Sequence, residues 1–359
     1  MLHSDGHNAS LTLHQHHHAH SSTHLRASRA CAQALLTRLL AGVVGDIIGE
    51  EDDAGIDISA PPFKAGAITA PAELEELIVK LRERVDEMAV TLQKTEGASA
   101  CKELTAFIDP IDGTREFCTG FGEQCSICIG FADLTTGFCK GGLVYRPLCP
   151  HKSYALGCKS EGFKEASLAP RPGGGDGGGG AFLVSNGGTS PFLKTLCAEL
   201  KYEMRPTGGA GNKALRVLEE GNGVGGSSCY IQDRGVSRWD TCGPQGVLEA
   251  HGGLLCQLQP LVVSSGSAAV ALEPYHYKRG GNAKDDFLPG VTAMTKYNSD
   301  ALTEADLAKG APKRYAKAAA ELKPYSNGLG LVALKDAKDV ESVSAAVRRA
   351  AAKDPPAFD

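Results

Sequence analysis

The sequence lacks any run of uncharged apolar residues long enough to cross a membrane. Its best apolar stretch, residues 261–272, is short and lies among turn-forming residues, whereas a membrane helix needs about 20 apolar residues. It also lacks a strong excess of charge, with 37 basic and 42 acidic residues and a net charge of -5. Nucleic-acid-binding proteins usually present a basic face, so a nucleic-acid polymer is not an expected partner. The absence of a long apolar run makes a membrane equally unexpected. We expect a soluble protein, with the cytoplasm as its default compartment.

The sequence also lacks the Cys and His pairs that a zinc site needs. Cys125 and Cys128 have metal-ligand spacing, but no second pair completes the set among the 12 cysteines. A secretory leader is not evident, so we expect reduced thiols, mostly buried, in a chain of 359 residues. A redox-regulated pair is the alternative.

Residues 1–30 are rich in His and Ser and contain a single acid, Asp5. A disordered tail is one interpretation of this segment. Transit peptides are also poor in acids, so a chloroplast or mitochondrial targeting segment is a second interpretation. The run His16-His17-His18 allows a third, a tract that binds divalent metal.

The pattern of apolar residues predicts a layered chain of helices and strands. Residues 31–44 and 71–94 have the period of amphipathic helices, and residues 104–108 form a strand that ends at Asp109. We place an α+β subdomain at residues 31–172, a glycine-rich linker or loop at 173–180, and an α/β subdomain at 181–359. Residues 126–132 and 141–145 are predicted to form an antiparallel pair of strands. The other predicted strands are 182–185, 228–232 and 254–258, and the later helices are 191–200, 212–220, 241–251 and 340–351.

The strongest chemical signal is the string Asp109-Pro-Ile-Asp-Gly-Thr-Arg-Glu-Phe117. Proline fixes φ and glycine permits a tight turn, so Asp109 and Asp112 can face one point. A carboxylate pair without Cys or His nearby suits a hard cation such as Mg²⁺. Thr114 adds a hydroxyl group, and the N–H groups of the turn can face a phosphate. A simple Asp-Gly turn between a strand and a helix is the alternative.

Two further acidic elements follow the same logic. Glu50 begins the run Glu50-Glu51-Asp52-Asp53 after a short apolar strand, where a solvated loop is the simpler interpretation. Asp240 stands at the start of a predicted helix, where it can cap free N–H groups. Taken singly, each has this simpler explanation, but the three elements together predict a shared metal site.

The three elements resemble the metal-binding signature of the inositol monophosphatase superfamily, and the resemblance runs from about residue 31 to residue 257. That superfamily includes inositol phosphatases, 3'(2'),5'-bisphosphate nucleotidases and, more distantly, fructose bisphosphatases. It implies a layered α-β-α-β-α sandwich of the α/β class. It also implies hydrolysis of a small phosphate monoester with two or three Mg²⁺, no covalent intermediate, and inhibition by Li⁺.

The same resemblance implies roles for individual residues. Thr114 would help to orient the attacking water, and Gly113 and Thr114 would lie against the phosphate. The implied metal ligands are the side chains of Glu50, Asp109, Asp112 and Asp240 and the backbone carbonyl of Ile111.

Two segments favour the bisphosphate nucleotidase and inositol polyphosphate 1-phosphatase branch. They are Thr207-Gly-Gly-Ala-Gly-Asn-Lys213 and Trp239-Asp-Thr-Cys242. The resemblance implies Gly209 and Lys213 as substrate contacts, and a glycine turn before a helix with an exposed lysine is the alternative. The expected substrate is 3'-phosphoadenosine 5'-phosphate, which would give AMP and phosphate. The alternative substrate is an inositol bisphosphate or polyphosphate, attacked at the 1-position.

The sequence departs from the family pattern at two places. The family usually has an Asp 25–30 residues before the Gly-Glu-Glu element, but residues 21–30 contain no carboxylate. The nucleotidase branch tends to have a Ser and a His near residues 184–190, and here Ser185 is retained as a substrate contact but no His is present. These departures leave open a weakened relative that binds a phosphonucleotide or a metal as a sensor.

Overall fold

The structure is a computed structural model that describes residues 29–53, 75–169, 180–220, 228–233, 236–263, 272, 275, 277, 326–327 and 330–356. The His-rich segment up to residue 28 and most of the predicted glycine linker lie outside these residues. Within the described ranges, none of the helices has the length and apolar character needed to span a bilayer.

The first sheet has six strands whose spatial order follows the chain. The strands β1 and β2 are parallel, and each later strand is antiparallel to the one before it. Strand β2 is buried along nearly its whole length, which its central apolar residues Ala106, Phe107 and Ile108 explain. The strands are β1 (Asp46–Gly49), β2 (Leu104–Asp112), β3 (Ser126–Asp133), β4 (Cys139–Tyr145), β5 (Tyr154–Cys158) and β6 (Phe163–Ser167).

The second sheet has five strands in the order β11-β13-β9-β7-β8. Strand β7 runs parallel to both of its neighbours, whereas β13 is antiparallel to β9 and β11. A separate antiparallel pair joins β10 (Val236–Ser237) to β12 (Ser326–Asn327). The strands of the second sheet are β7 (Ala181–Val184), β8 (Glu203–Pro206), β9 (Ser228–Gln232), β11 (Leu254–Gln257) and β13 (Leu331–Leu334).

Nine α-helices are found in the described part of the chain. Helix α1 covers residues 29–40. The others are α2 (Glu50–Asp53), α3 (Glu75–Lys94), α4 (Thr114–Cys118), α5 (Pro191–Leu200), α6 (Ala210–Glu219), α7 (Arg238–Ala250), α8 (Gln259–Val263) and α9 (Val340–Lys353).

Helices and sheets alternate in five layers. Leu40 of α1 and Leu92 of α3 pack against Ile108 on the outer face of the first sheet. Helices α6 and α7 lie between the two sheets, where Leu215 and Val247 pack against the first sheet. Helices α5, α8 and α9 cover the outer face of the second sheet through a separate apolar core. The expected α-β-α-β-α sandwich of the α/β class is therefore confirmed.

Helix α7 approaches the first sheet through glycine residues. A Cβ atom added at Gly130 of β3 would lie 2.4 Å from Cys242 of α7, and one added at Gly142 of β4 would lie 2.3 Å from Gly243. A Cβ atom at Gly246 would lie 2.2 Å from Gly141. Since real Cβ atoms essentially never come so close to backbone, only glycine permits this approach.

Most predicted elements are present, with shifted ends. Strand β2 continues past the predicted end at residue 108 as far as Asp112, and α7 begins at Arg238, before the predicted residue 241. The run after Gly49, expected as a loop or ligand segment, forms the short helix α2. The two sheets take their strands from residues 46–167 and 181–334. The predicted boundary between the two subdomains lies mainly outside the described residues and stays a prediction.

Candidate metal and phosphate site

Asp109 and Asp112 stand at the end of β2, and both are buried. In a regular strand, residues three apart point to opposite faces. Here the pairing of β2 with β3 shifts register between Asp109 and Asp112, and Pro110 lies between them with no N–H to donate. The irregularity lets both carboxylates reach one point, as the sequence predicted.

Asp240 completes this group from the first turn of α7. One carboxylate oxygen each of Asp109, Asp112 and Asp240 lies within 4.8 Å of the others. Asp240 also accepts a hydrogen bond from the backbone N–H of Ser237 at 2.8 Å. The capping role and membership of the acidic cluster are therefore both present, and neither excludes the other.

Asp112 is held in place by three donors. The backbone N–H groups of Ala210 and Gly211 donate to its two carboxylate oxygens at 2.9 and 2.8 Å, and the Ser126 hydroxyl donates at 2.7 Å. A Cβ atom at Gly209 would lie 2.9 Å from Asp112 Oδ2, so glycine is required there. The first N–H groups of α6 are thus used by Asp112.

Gly113 has φ of 84° and begins the turn into α4. A Cβ atom on Gly113 would lie 3.5 Å from Gly209 Cα, so the two glycines predicted to contact substrate pack against each other. Both belong to the wall of the acidic cluster.

The cluster carries more negative charge than its surroundings balance. Burial, with the charges of Glu50, Asp112 and Asp240, raises the pKa of Asp109 well above its ordinary value. Burial and the charge of Asp112 raise the pKa of Asp240 to about 6. Burial also raises the pKa of Glu50 to about 7, against the opposing effect of Arg29. A bound cation would favour the ionised form of each group.

Glu50 lies outside the group of three and faces a cation of the protein itself. Arg29 Nη1 donates to Glu50 Oε1 at 2.5 Å, and Arg29 Nε lies 2.9 Å from Glu51 Oε1. The same Nη1 lies 3.4 Å from the Thr114 hydroxyl oxygen. Nothing in the sequence pattern singled out Arg29 as a partner of Glu50.

Thr114 and Ile111 contact each other in this structure. The Thr114 hydroxyl donates to the Ile111 carbonyl oxygen at 3.2 Å. Of the expected metal ligands, the structure brings together Asp109, Asp112 and Asp240, whereas Glu50 pairs with Arg29 and the Ile111 carbonyl accepts from Thr114.

The two other predicted substrate contacts differ in exposure. Ser185 is exposed, and its hydroxyl oxygen accepts the Gly187 N–H at 3.2 Å. Lys213 is 4% exposed, so the alternative of an exposed lysine is wrong. Its ammonium group lies 4.6 Å from the centre of the Tyr230 ring and 3.5 Å from the Thr207 carbonyl oxygen.

A hydrogen-bond network that the sequence did not predict joins the loops of the site. Gln124 Oε1 accepts from the Gly208 N–H at 2.7 Å and from Asn186 Nδ2 at 3.3 Å. Asn186 Nδ2 also donates to Glu116 Oε1 at 3.1 Å. Glu116 belongs to the string that begins at Asp109, and it is buried. The sequence pattern did not indicate its contact with Asn186.

A pocket of about 250 Å³ lies beside this network. It shares Gln124, Thr207 and Asn212 with the wall of the site, and Arg146, His151 and Arg216 also line it. None of the three clustered aspartates lines the pocket.

The profile of the inositol monophosphatase family matches residues 23–284 of the chain. A 3'(2'),5'-bisphosphate nucleotidase 1 of Rattus norvegicus is 28% identical over 207 residues, which cover 50% of this chain and 61% of that protein. The Homo sapiens protein of the same name is 29% identical over 179 residues, which cover 45% of this chain and 52% of that protein. The chain thus matches little more than half the length of these relatives.

Solved structures show more distant similarity. An inositol monophosphatase from Zymomonas mobilis aligns with a TM-score of 0.41 and 12% identity, covering 91% of this chain and 98% of that chain. Inositol monophosphatase II from Staphylococcus aureus aligns with a TM-score of 0.35 and 20% identity, covering 52% of this chain and 72% of that chain. At this level of similarity the two structures add nothing about activity.

Proposed function

The chain belongs to the inositol monophosphatase family, and from this premise we propose that it is a phosphatase that hydrolyses a small phosphate monoester with Mg²⁺. The observation that supports this most is the group of three carboxylates, Asp109, Asp112 and Asp240. Oxygen donors without nitrogen or sulfur suit a hard cation. The raised pKa values of Asp109 and Asp240 indicate a charge that a cation would balance.

When bound, Mg²⁺ would supply positive charge to the phosphate oxygens and make a water molecule more acidic. Asp109, Asp112 and Asp240 would hold the ion. Among the described residues, Asp112 Oδ1 accepts a hydrogen bond from the Ala210 N–H, which leaves a lone pair for a cation. Thr114 would orient the attacking water once its hydroxyl group turns from the Ile111 carbonyl.

We propose 3'-phosphoadenosine 5'-phosphate as the substrate, with AMP and phosphate as products. The names of the curated relatives and the segment from Thr207 to Lys213 support this choice. An inositol bisphosphate or polyphosphate, attacked at the 1-position, is the second candidate. A weakened phosphonucleotide or metal sensor is the third, because residues 21–30 contain no carboxylate and Arg29 pairs with the expected ligand Glu50.

The test is phosphate release by the full chain from 3'-phosphoadenosine 5'-phosphate and from inositol 1,4-bisphosphate, each with Mg²⁺ and with EDTA. Release from the nucleotide that EDTA abolishes is the expected result. Phosphate release from the inositol substrate alone would support the reaction class but contradict the nucleotide as the substrate. Binding of Mg²⁺ without phosphate release from either substrate would overturn the proposed phosphatase activity and favour the sensor.

A further inference from the structure

Arg29, on α1, brings a cationic side chain into contact with the expected metal ligand Glu50. Its guanidinium pairs with Glu50 through Nη1 at 2.5 Å and with Glu51 through Nε at 2.9 Å. The side chains of Arg29 and Glu50 are 12% and 22% exposed, and that of Glu51 is fully buried. One guanidinium thus bridges two carboxylates that the chain places next to each other.

The position of Arg29 is fixed by its own helix. Gln33 stands one turn later on α1, and its Oε1 accepts the Glu51 backbone N–H at 3.0 Å. A Cβ atom at Gly49 would lie about 2.1 Å from Gln33, so glycine leaves room for this contact. Because residues four apart lie on one helix face, α1 meets the start of α2 through Arg29 and Gln33 together.

The Arg29 guanidinium contacts Thr114 as well as Glu50. The same Nη1 lies 3.4 Å from the hydroxyl oxygen of Thr114, the residue expected to orient water. Arginine stays charged at any pH a protein tolerates, so this cation cannot leave by losing a proton. A divalent ion at Glu50 would have to displace Arg29 or lie against a like charge.

We propose that Arg29 replaces a divalent ion on the Glu50 side of the site, so that the chain holds one divalent ion where the family resemblance implies two or three. The ion that remains is the one held by Asp109, Asp112 and Asp240. This inference rests on the proposed function, since it assumes that those three carboxylates bind a divalent ion. Arg29 is then a positioning residue for Thr114 as well as a fixed charge.

The experiment counts bound divalent ions without using turnover. Mn²⁺ is titrated into the metal-free full chain, and free Mn²⁺ is measured by electron paramagnetic resonance. Every count is the excess over Asp112→Asn, a variant that keeps the His-rich residues 1–30 but lacks a ligand of the proposed site. We expect an excess of one ion per wild-type chain and a second ion in Arg29→Met, whose apolar side chain frees Glu50 and Glu51. Arg29→Lys keeps a cation and should bind one ion. Arg38→Met is the matched control, because Arg38 lies on the same helix and pairs instead with Asp86.

A second variant makes the result independent of how Arg29→Met folds. Glu50→Gln should leave the count at one, because Glu50 holds Arg29 and not an ion. Two or more ions in the wild type, a count that falls in Glu50→Gln, or an unchanged count in folded Arg29→Met would each overturn the role of Arg29. The proposed function would survive those results. Failure of the wild type to bind any Mn²⁺ would instead overturn the metal site on which both proposals depend.

Discussion

The carboxylate of Asp112 accepts a hydrogen bond from the backbone N–H of Gly211 at 2.8 Å. This contact joins the end of β2 in the first sheet to the first turn of α6 in the layer between the sheets. The proposed metal ligand is therefore also a structural link between two layers. Its replacement should change both activity and stability.

The variant Asp112→Asn should lower phosphate release by more than about 100-fold, since a direct ligand matters at least as much as its supporting partners. It should also lower stability by about 1–3 kcal/mol. Donors approach both carboxylate oxygens, so the Asn amide group must face at least one of them. Phosphate assays and thermal unfolding measure the two effects.

Asp133→Asn is the matched control for that variant. Asp133 also accepts two backbone N–H groups, from Thr135 and Thr136, but it lies at the end of β3, outside the cluster. It should keep nearly full activity. Equal activity of Asp112→Asn and Asp133→Asn would show that Asp112 is not a metal ligand.

Metal removal should give stability a particular pH dependence. The folded pKa values of Asp240 and Glu50, about 6 and about 7, are higher than the ordinary values of 3.8 and 4.5. The stabilising contribution of the protonated groups is present below about pH 4 and is lost as the pH rises toward 7. For Asp240 alone the change is on the order of 3 kcal/mol.

The measurement is the melting temperature in EDTA and in Mg²⁺ between pH 4.5 and pH 7.5. In EDTA the melting temperature should fall with increasing pH. Excess Mg²⁺ should oppose this fall, because the ion stabilises the ionised carboxylates. A melting temperature in EDTA that rises across this range would contradict the charge balance derived for the site.

Gln124→Ala should weaken substrate binding without removing a ligand of the metal. The variant loses the acceptor for the Gly208 N–H and for the Asn186 amide. Each lost hydrogen bond is worth about 1 kcal/mol, so KM should rise roughly 5- to 20-fold while kcat changes little. Gln93→Ala removes the same side chain from an exposed contact with Ala41 and should leave both constants unchanged. A fall in kcat with an unchanged KM would show that Gln124 does not position the substrate-binding loops through Gly208 and Asn186.

Lys213→Met tests whether the buried ammonium contacts substrate directly. Burial beside Tyr230 lowers the pKa of Lys213, and the charges of Asp112 and Asp240 oppose this shift. We therefore expect Lys213 to act through those carboxylates. The variant should then lower kcat/KM by a similar factor, roughly 10-fold or more, for substrates with one or two phosphates. A loss confined to the two-phosphate substrate would establish the direct contact that the family resemblance implies. Lys335→Met, a partly buried lysine that donates to Leu218 and Glu220, is the control.

The sequence allowed correct prediction of elements that bury a regular apolar face. Helix α5 has the predicted bounds, and the pair β3 and β4 is antiparallel as expected. Strand β6 escaped prediction because it is mostly exposed and shows no buried alternating face. Strand β8 also escaped, since Glu203, Arg205 and Pro206 are not typical of strands.

The acidic elements were predictable because Asp109 and Asp112 are close in sequence and stand next to a proline and a glycine. The ion pair of Arg29 with Glu50 was not, because the two residues are 21 positions apart and meet only when α1 packs on β1. The contacts of Gln124 with Gly208 and Asn186 depend likewise on the packing of separate loops. Such pairings come from tertiary structure and leave no periodic pattern in the chain.

The glycine contact between α7 and the first sheet makes the site sensitive to changes far from any reacting atom. Asp240 is carried by α7, and no side chain between Gly243 and Gly142 can yield if an atom is added. A single methyl group at Gly142 would push the helix and its carboxylate away from Asp109 and Asp112. Glycines with no chemical function thus determine whether Asp240 reaches the other two carboxylates. A screen for lost metal binding should recover substitutions at these glycines as well as at the aspartates.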